Sequence, residues 1–146
     1  MKNTFKSGFT LLELLIGIII ISILAALAIP NFSRAVEKTK VKDAQAVLSA
    51  VHSAEKIYYL DQGSFGTLDP DPAQSNTLVT NNYITNPNSG NTTWSFSVPA
   101  PTAATFTATA TRAAGGGYGG KKIVIDKDFD GTHYNASGSD HPLRDQ

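Results

Sequence analysis

Lys6-Ser7-Gly8-Phe9-Thr10-Leu11-Leu12-Glu13-Leu14-Leu15 opens a stretch with no further charge until Arg34. Phe9 to Ile29 is 21 residues. At about 1.5 Å per residue a helix of that length spans roughly 30 Å, the thickness of a bilayer's hydrocarbon core. Its one carboxylate, Glu13, falls in the first turns, where an isolated charge costs up to about 3 kcal/mol even on lenient insertion scales. Such a charge calls for a partner, unless it simply rests at headgroup level. A cleaved secretory signal fits poorly, because the apolar run is long and Pro30-Asn31-Phe32-Ser33-Arg34 leads into a second helical pattern. Lys2 and Lys6 precede Gly8, so a cut between Gly8 and Phe9 removes a basic leader and leaves the helix attached.

Taken together, Gly8, Phe9, Glu13 and Ile29-Pro30-Asn31-Phe32 resemble the N-terminus of the type IV pilin and type II secretion pseudopilin superfamily. The resemblance is close as far as Ala35, loose to Leu60, and only compositional beyond. It implies that a prepilin peptidase cuts after Gly8 on the cytoplasmic side and that the new Phe9 amine is N-methylated. It also implies that Glu13 meets the Phe9 amine of a neighbouring copy as helices pack in a filament core, a homopolymer of this chain. A buried carboxylate is tolerable when paired, and removing one partner strands the other at a cost of several kcal/mol. The same resemblance implies an inner-membrane platform protein and a cytoplasmic assembly ATPase as partners. The precursor would sit in a bacterial inner membrane with its C-terminal domain outside the cytoplasm, and the filament would be extracellular or periplasmic.

Charge alone leaves that orientation open. Lys2 and Lys6 favour a cytoplasmic N-terminus, whereas Arg34, Lys38, Lys40 and Lys42 flank the other end. The chain is 41% hydrophobic and 16% charged with a formal charge of zero, which suits one modest folded domain behind the helix. Removing Lys2 and Lys6 from the 12 basic residues, against 12 acidic, leaves the processed chain near minus two. No basic patch supports nucleic-acid binding by charge. There is no cysteine. The sequence thereby departs from the disulfide-bearing pilins, and packing, a metal or subunit contacts must hold the exported domain.

Proline inside a helix removes one hydrogen bond, so a kink or local melting is expected between Ala26 and Pro30. Beyond it Val36, Ala44, Val47, Leu48, Val51, Ala54 and Tyr58 recur at mostly three- and four-residue steps, predicting one buried helix face as far as Tyr59 or Leu60. Lys38, Lys42, Asp43, Gln45, Ser49 and Lys56 fall largely elsewhere on the surface, and His52 belongs to the packed or flanking surface. Gly63 is placed as a left-handed cap. The polar stretch Leu68–Asn91 reads as a loop with one helical turn or short strand. Trp94–Val98, Thr105–Thr111 and Lys122–Asp126 alternate as strands, with Thr132–Tyr134 a fourth. Gly115-Gly116-Gly117-Tyr118-Gly119-Gly120 reads as a flexible link, not a phosphate loop, since no helix start follows it.

Asp126-Lys127-Asp128-Phe129-Asp130-Gly131 spaces carboxylates as in the opening of an EF-hand-type calcium loop, but Ser137 stands where the late bidentate Glu belongs, with Asp140 further on. Asp130-Gly131 reads in the first place as a hairpin turn between the strands Ile123–Ile125 and Thr132–Tyr134. His52, His133 and His141 show no zinc or nucleophile–base spacing, so no enzyme activity is expected. The sequons at Asn91 and Asn135 read as surface loops.

The expected fold is α+β: a leader over 1–8, a membrane and filament-core helix over 9–30, its amphipathic continuation over 31–60, a loop over 61–91, and a three- to four-stranded antiparallel sheet over 92–146. The expected function is a structural subunit of a type IV pilus-like filament, with Gly8 and Phe9 in processing and Phe9, Glu13 and Pro30 in assembly. The alternatives are a major-type pseudopilin of a type II secretion system and a membrane-anchored calcium-dependent binding module using Asp126, Asp128 and Asp130.

Overall fold

The computed structural model describes residues 8–71 and 73–130. Its elements run α1 (Leu11–Gln62), α2 (Thr77–Thr80), β1 (Trp94–Ser97), β2 (Thr107–Arg112), a 3-10 turn (Gly116–Tyr118) and β3 (Lys122–Asp126). This is an α+β architecture in which a long helix precedes an antiparallel sheet. The chain divides into two units at Glu37/Lys38.

In the first unit, α1 opens on a cap that the sequence reading passed over. The Glu13 N–H donates to Thr10 Oγ1 at 3.1 Å and the Leu14 N–H to the Thr10 carbonyl at 3.3 Å. Thr10-Leu11-Leu12-Glu13 thus has the order of a capping box, and the acidic residue suits the positive end of the helix dipole. The expected melting at Pro30 does not occur, and α1 continues through it. Around the missing amide, Asn31 Nδ2 donates to the Leu27 carbonyl at 3.4 Å and Ser33 Oγ to the Ile29 carbonyl at 3.2 Å. Side-chain donors therefore add bonds to two carbonyls of the turn that leads into Pro30.

In the second unit the buried stripe of α1 is Val41, Ala44, Leu48, Val51, Glu55 and Tyr58, a strict alternation of three- and four-residue steps. Ala54 is buried as expected and Val47 is half-buried, but Val36 is exposed. Gln45, expected at the surface, is buried, as is His52. The helix ends at Gln62, two residues beyond the expected limit, and Gly63 (φ 69°) caps it by donating to the Tyr59 carbonyl at 2.9 Å. Only glycine adopts that backbone without strain, and the single bond to the i−4 carbonyl closes the last turn.

The sheet is a meander in the order β1-β2-β3, antiparallel throughout. Its inner face alternates cleanly: Trp94 and Phe96 on β1, Ala108, Ala110 and Arg112 on β2, Ile123 and Ile125 on β3. Register sets Phe96, Ala110 and Ile123 in one row and Ala108 beside Ile125. Small central residues between large flanking ones are how a threonine- and alanine-rich strand packs a core without overfilling it. Val98, expected within β1, instead pairs with Leu68 in an isolated bridge. Arg112 ends the inner row opposite Trp94, its guanidinium carbon 5.9 Å from the ring centre and its Nη1 donating to the Thr93 carbonyl at 2.9 Å.

The single turn expected within Leu68–Asn91 is α2, whose Leu78 is fully buried. The glycine run differs from expectation. It forms a 3-10 turn closed by the Gly120 N–H on the Arg112 carbonyl at 2.8 Å and the Lys121 N–H on the Tyr118 carbonyl at 3.1 Å. Gly120 at φ 75° permits this closure, and Tyr118 packs partly against the core. The expected fourth strand, Thr132–Tyr134, lies outside the described residues.

Candidate functional site

Each unit presents one candidate. In the first, Gly8, Phe9 and Thr10 precede the helix and are exposed, with Phe9 at 78% and Leu11 at 88%. Open space surrounds the Gly8 backbone. Glu13 is also exposed, one turn into the helix. From Leu11 to Phe32 the large aliphatic and aromatic side chains are exposed on every side of the helix. The helix is long and apolar enough to cross a membrane, and none of its most apolar window is buried. At about 1.5–3 kcal/mol per fully covered side chain, covering such a surface is worth tens of kcal/mol. A surface of this kind has two stable settings, lipid or other helices of the same character. The leader residues 1–7 lie outside the described residues.

In the second unit the acidic turn after β3 is built by its own backbone. Asp126 Oδ1 accepts the Asp128 N–H at 2.9 Å, and the Asp126 carbonyl accepts the Phe129 N–H at 3.2 Å. Lys127 Nζ lies 2.8 Å from Asp128 Oδ1, and that carboxylate raises the Lys127 ammonium above its ordinary range. The turn swings Phe129 into the core, where its ring meets His52 edge-on at 5.5 Å. His52 Nε2 sits 3.1 Å from the Lys127 carbonyl. Among the described residues no three Asp, Glu, His or Cys side chains are grouped as a metal ion requires. Of the expected calcium loop, Asp126, Asp128 and Asp130 lie within the described residues, where Lys127 Nζ is bonded to Asp128 Oδ1. Residues from Gly131 onward, with Ser137 and Asp140, lie outside the described residues.

Sequence reasoning missed Glu55. It is fully buried, with Oε2 accepting the Gly66 N–H at 2.7 Å. Its position on the stripe of three- and four-residue steps was the available signal, and its charge argued against using it.

A helix long and apolar enough to cross a membrane, followed by a small antiparallel sheet, is the architecture set beside known families. The chain belongs to the type IV pilin and pseudopilin superfamily, matching over residues 30–120 the family described as "Type IV minor pilin ComP, DNA uptake sequence receptor". Residues 4–29 match the prokaryotic N-terminal methylation motif. Relatives include the type IV major pilin protein PilA of Myxococcus xanthus, 40% identical over 63 residues, which are 43% of this chain and 29% of that protein. A type IV major pilin protein PilE1 of Neisseria gonorrhoeae is 40% identical over 63 residues, 43% of this chain and 38% of the relative. The type II secretion system core protein G of Aeromonas hydrophila is 36% identical over 69 residues, 47% of this chain and 48% of the relative. The chain thus spans less than half the length of these curated relatives.

Proposed function

We propose that this chain is a structural subunit of a type IV pilus-like filament, assembled from the inner membrane by packing of its N-terminal helix. The observation that carries this reading is the helix surface from Leu11 to Phe32, apolar and exposed on every side among the described residues. Lipid covers it before assembly and copies of the same helix cover it afterwards. In this reading a prepilin peptidase removes residues 1–8, Phe9 becomes the methylated first residue, and its amine meets Glu13 of a neighbour. Pro30 lies within the packed helix. A platform protein and an assembly ATPase drive filament assembly, with residues after Ile29 outside the cytoplasm.

The test is the intact mass of the chain in material sheared from the surface of producing cells. A chain beginning at methylated Phe9 is the expected result. A chain that keeps Met1 and stays with the membrane overturns the proposal. Processed chain found only in a periplasmic assembly moves the reading to the secretion pseudopilus, which the likeness to core protein G supports.

A second reading adds DNA as a ligand, prompted by the family description. At the β2–β3 end Lys121 and Lys122 stand beside Arg112: the Arg112 N–H donates to the Lys121 carbonyl at 2.8 Å, and Lys122 pairs with Thr111. Substituting both lysines with alanine should weaken duplex binding and lower its salt dependence by about two counterions. Equal binding by wild type and the double variant removes this reading.

A further inference from the structure

Glu55 is a buried acid at the junction of α1 with the segment that follows it. Its side chain has no exposed surface, Oε2 holds the Gly66 N–H at 2.7 Å, and Oε1 has no hydrogen-bond partner among the described residues. Gly66 is held tightly in place: a Cβ there would lie 2.7 Å from Leu78 Cδ2 and 3.0 Å from Thr77 Oγ1. Other bonds tie the segment to α2 and to the sheet side. The Thr67 N–H donates to Thr77 Oγ1 at 2.7 Å, the Phe65 N–H reaches the Thr102 carbonyl at 3.5 Å, and Leu68 pairs with Val98 through bonds of 3.5 and 2.7 Å. The Glu55–Gly66 bond is a short side-chain tie from α1 to the middle of this segment.

We propose that Glu55 is a proton-operated latch: neutral, it holds Phe65–Leu68 against α1, and ionised, it releases that segment. A neutral carboxyl can rest in this site with one amide on one oxygen. A carboxylate there has a full charge out of water with a single donor, and such a group either draws in solvent or leaves. The titratable groups nearby do not offset it. On α1 these are His52, whose Nε2 faces the Lys127 carbonyl, the exposed Lys56, the buried Tyr58, edge-on to Tyr83 at 5.1 Å, and Tyr59, stacked on Phe65 at 4.8 Å. Phe65–Leu68, Thr77 and Leu78 of α2, and Phe106 against Phe65 contribute no charge.

Burial pushes the Glu55 carboxyl up to about 7, and the Gly66 N–H offsets only part of that rise. Because the folded value lies above the ordinary carboxylate value, the latch is fully closed in acid and loosens as pH climbs through about 7. Phe65 is also a wall of an open groove of about 460 Å³ shared with Lys56, Tyr59 and Leu60. The protonation state of Glu55 thus sets the shape of an exposed surface. The latch is independent of whether the chain polymerises.

The experiment is amide hydrogen exchange on the full chain in detergent micelles from about pH 5 to about pH 9, corrected for intrinsic exchange, for wild type and Glu55→Gln. The glutamine keeps an acceptor for Gly66 and cannot ionise. In wild type, protection over residues 63–68 should fall up to about tenfold per pH unit from about pH 5 to about pH 7 and level off above that, while Glu55→Gln stays flat. Superimposable profiles overturn the latch. Should the variant not fold, a carbon-13 titration of the Glu55 carboxyl in wild type decides the matter: a midpoint near pH 7 supports it, and one in the ordinary carboxylate range ends it.

Discussion

Cells producing Glu13→Ala should shed no filaments on shearing, while the chain still inserts in the membrane. The apolar helix that drives insertion is unchanged by this substitution, since Glu13 is its only acidic residue before Glu37. What changes is assembly. If the carboxylate pairs with a neighbour's Phe9 amine inside the helix bundle, removing it leaves a buried cation unpaired at a cost of about 3–5 kcal/mol at each contact. Each 1.4 kcal/mol is about a tenfold change in an equilibrium, and a polymer repeats the penalty at every subunit. The cap is not at stake. The Glu13 N–H that donates to Thr10 Oγ1 is backbone and stays in Glu13→Ala, so the helix start loses only the carboxylate's interaction with the helix dipole, about 0.3–1 kcal/mol. Glu13→Gln keeps the shape of the side chain and loses the charge. Filaments from Glu13→Gln would show that charge pairing is not what assembly needs.

Phe106→Ala should lower the stability of the sheet domain by about 3–5 kcal/mol, the range for removing a large buried aromatic ring. Phe106 is buried just before β2, 5.8 Å from His52 and 4.9 Å from Phe65, ring centre to ring centre. It thus joins α1, the segment after α1 and the sheet, and its loss leaves a cavity bordered by three separate stretches of chain. With roughly 4–8 °C of melting temperature per kcal/mol in a domain of this size, the shift is on the order of 12 °C or more. Thr107→Ala, at an exposed site on the adjacent residue, should stay within about 0.5 kcal/mol. Thermal unfolding followed by circular dichroism compares the two. Equal shifts for both would mean that Phe106 is not at the centre of this core.

The parts of the fold legible in the sequence are those governed by near neighbours. The apolar run before Pro30, the glycine cap at Gly63 and the alternation of Lys122–Asp126 depend on residues within a turn or a pleat of one another. α1 and β3 follow from them. The errors concern partners that arrive from afar. Glu55 faces inward because Gly66 offers an amide 11 residues on, and His52 is buried beside the Lys127 carbonyl 75 residues away. No helix-periodicity argument contains those groups: it passes over Glu55, leaves His52 on the packed or flanking surface, sets Gln45 at the surface where the fold buries it, and sets Val36 on the buried face where the fold exposes it. Phe9 and Glu13 stand out in the sequence through the family resemblance, and on the proposed reading their partner is another copy of the chain, which a single subunit does not display.

The meander has one more consequence, for how the domain forms. Its described strands pair only with their neighbours in sequence, β1 with β2 and β2 with β3. Short loop closures are the fast ones, and a topology made of them reaches its native pairing without a long-range search. The chain has no cysteine, so no oxidation step stands between synthesis and the folded sheet. A subunit built this way regains its shape equally in reducing and oxidising surroundings, as often as it is pulled apart.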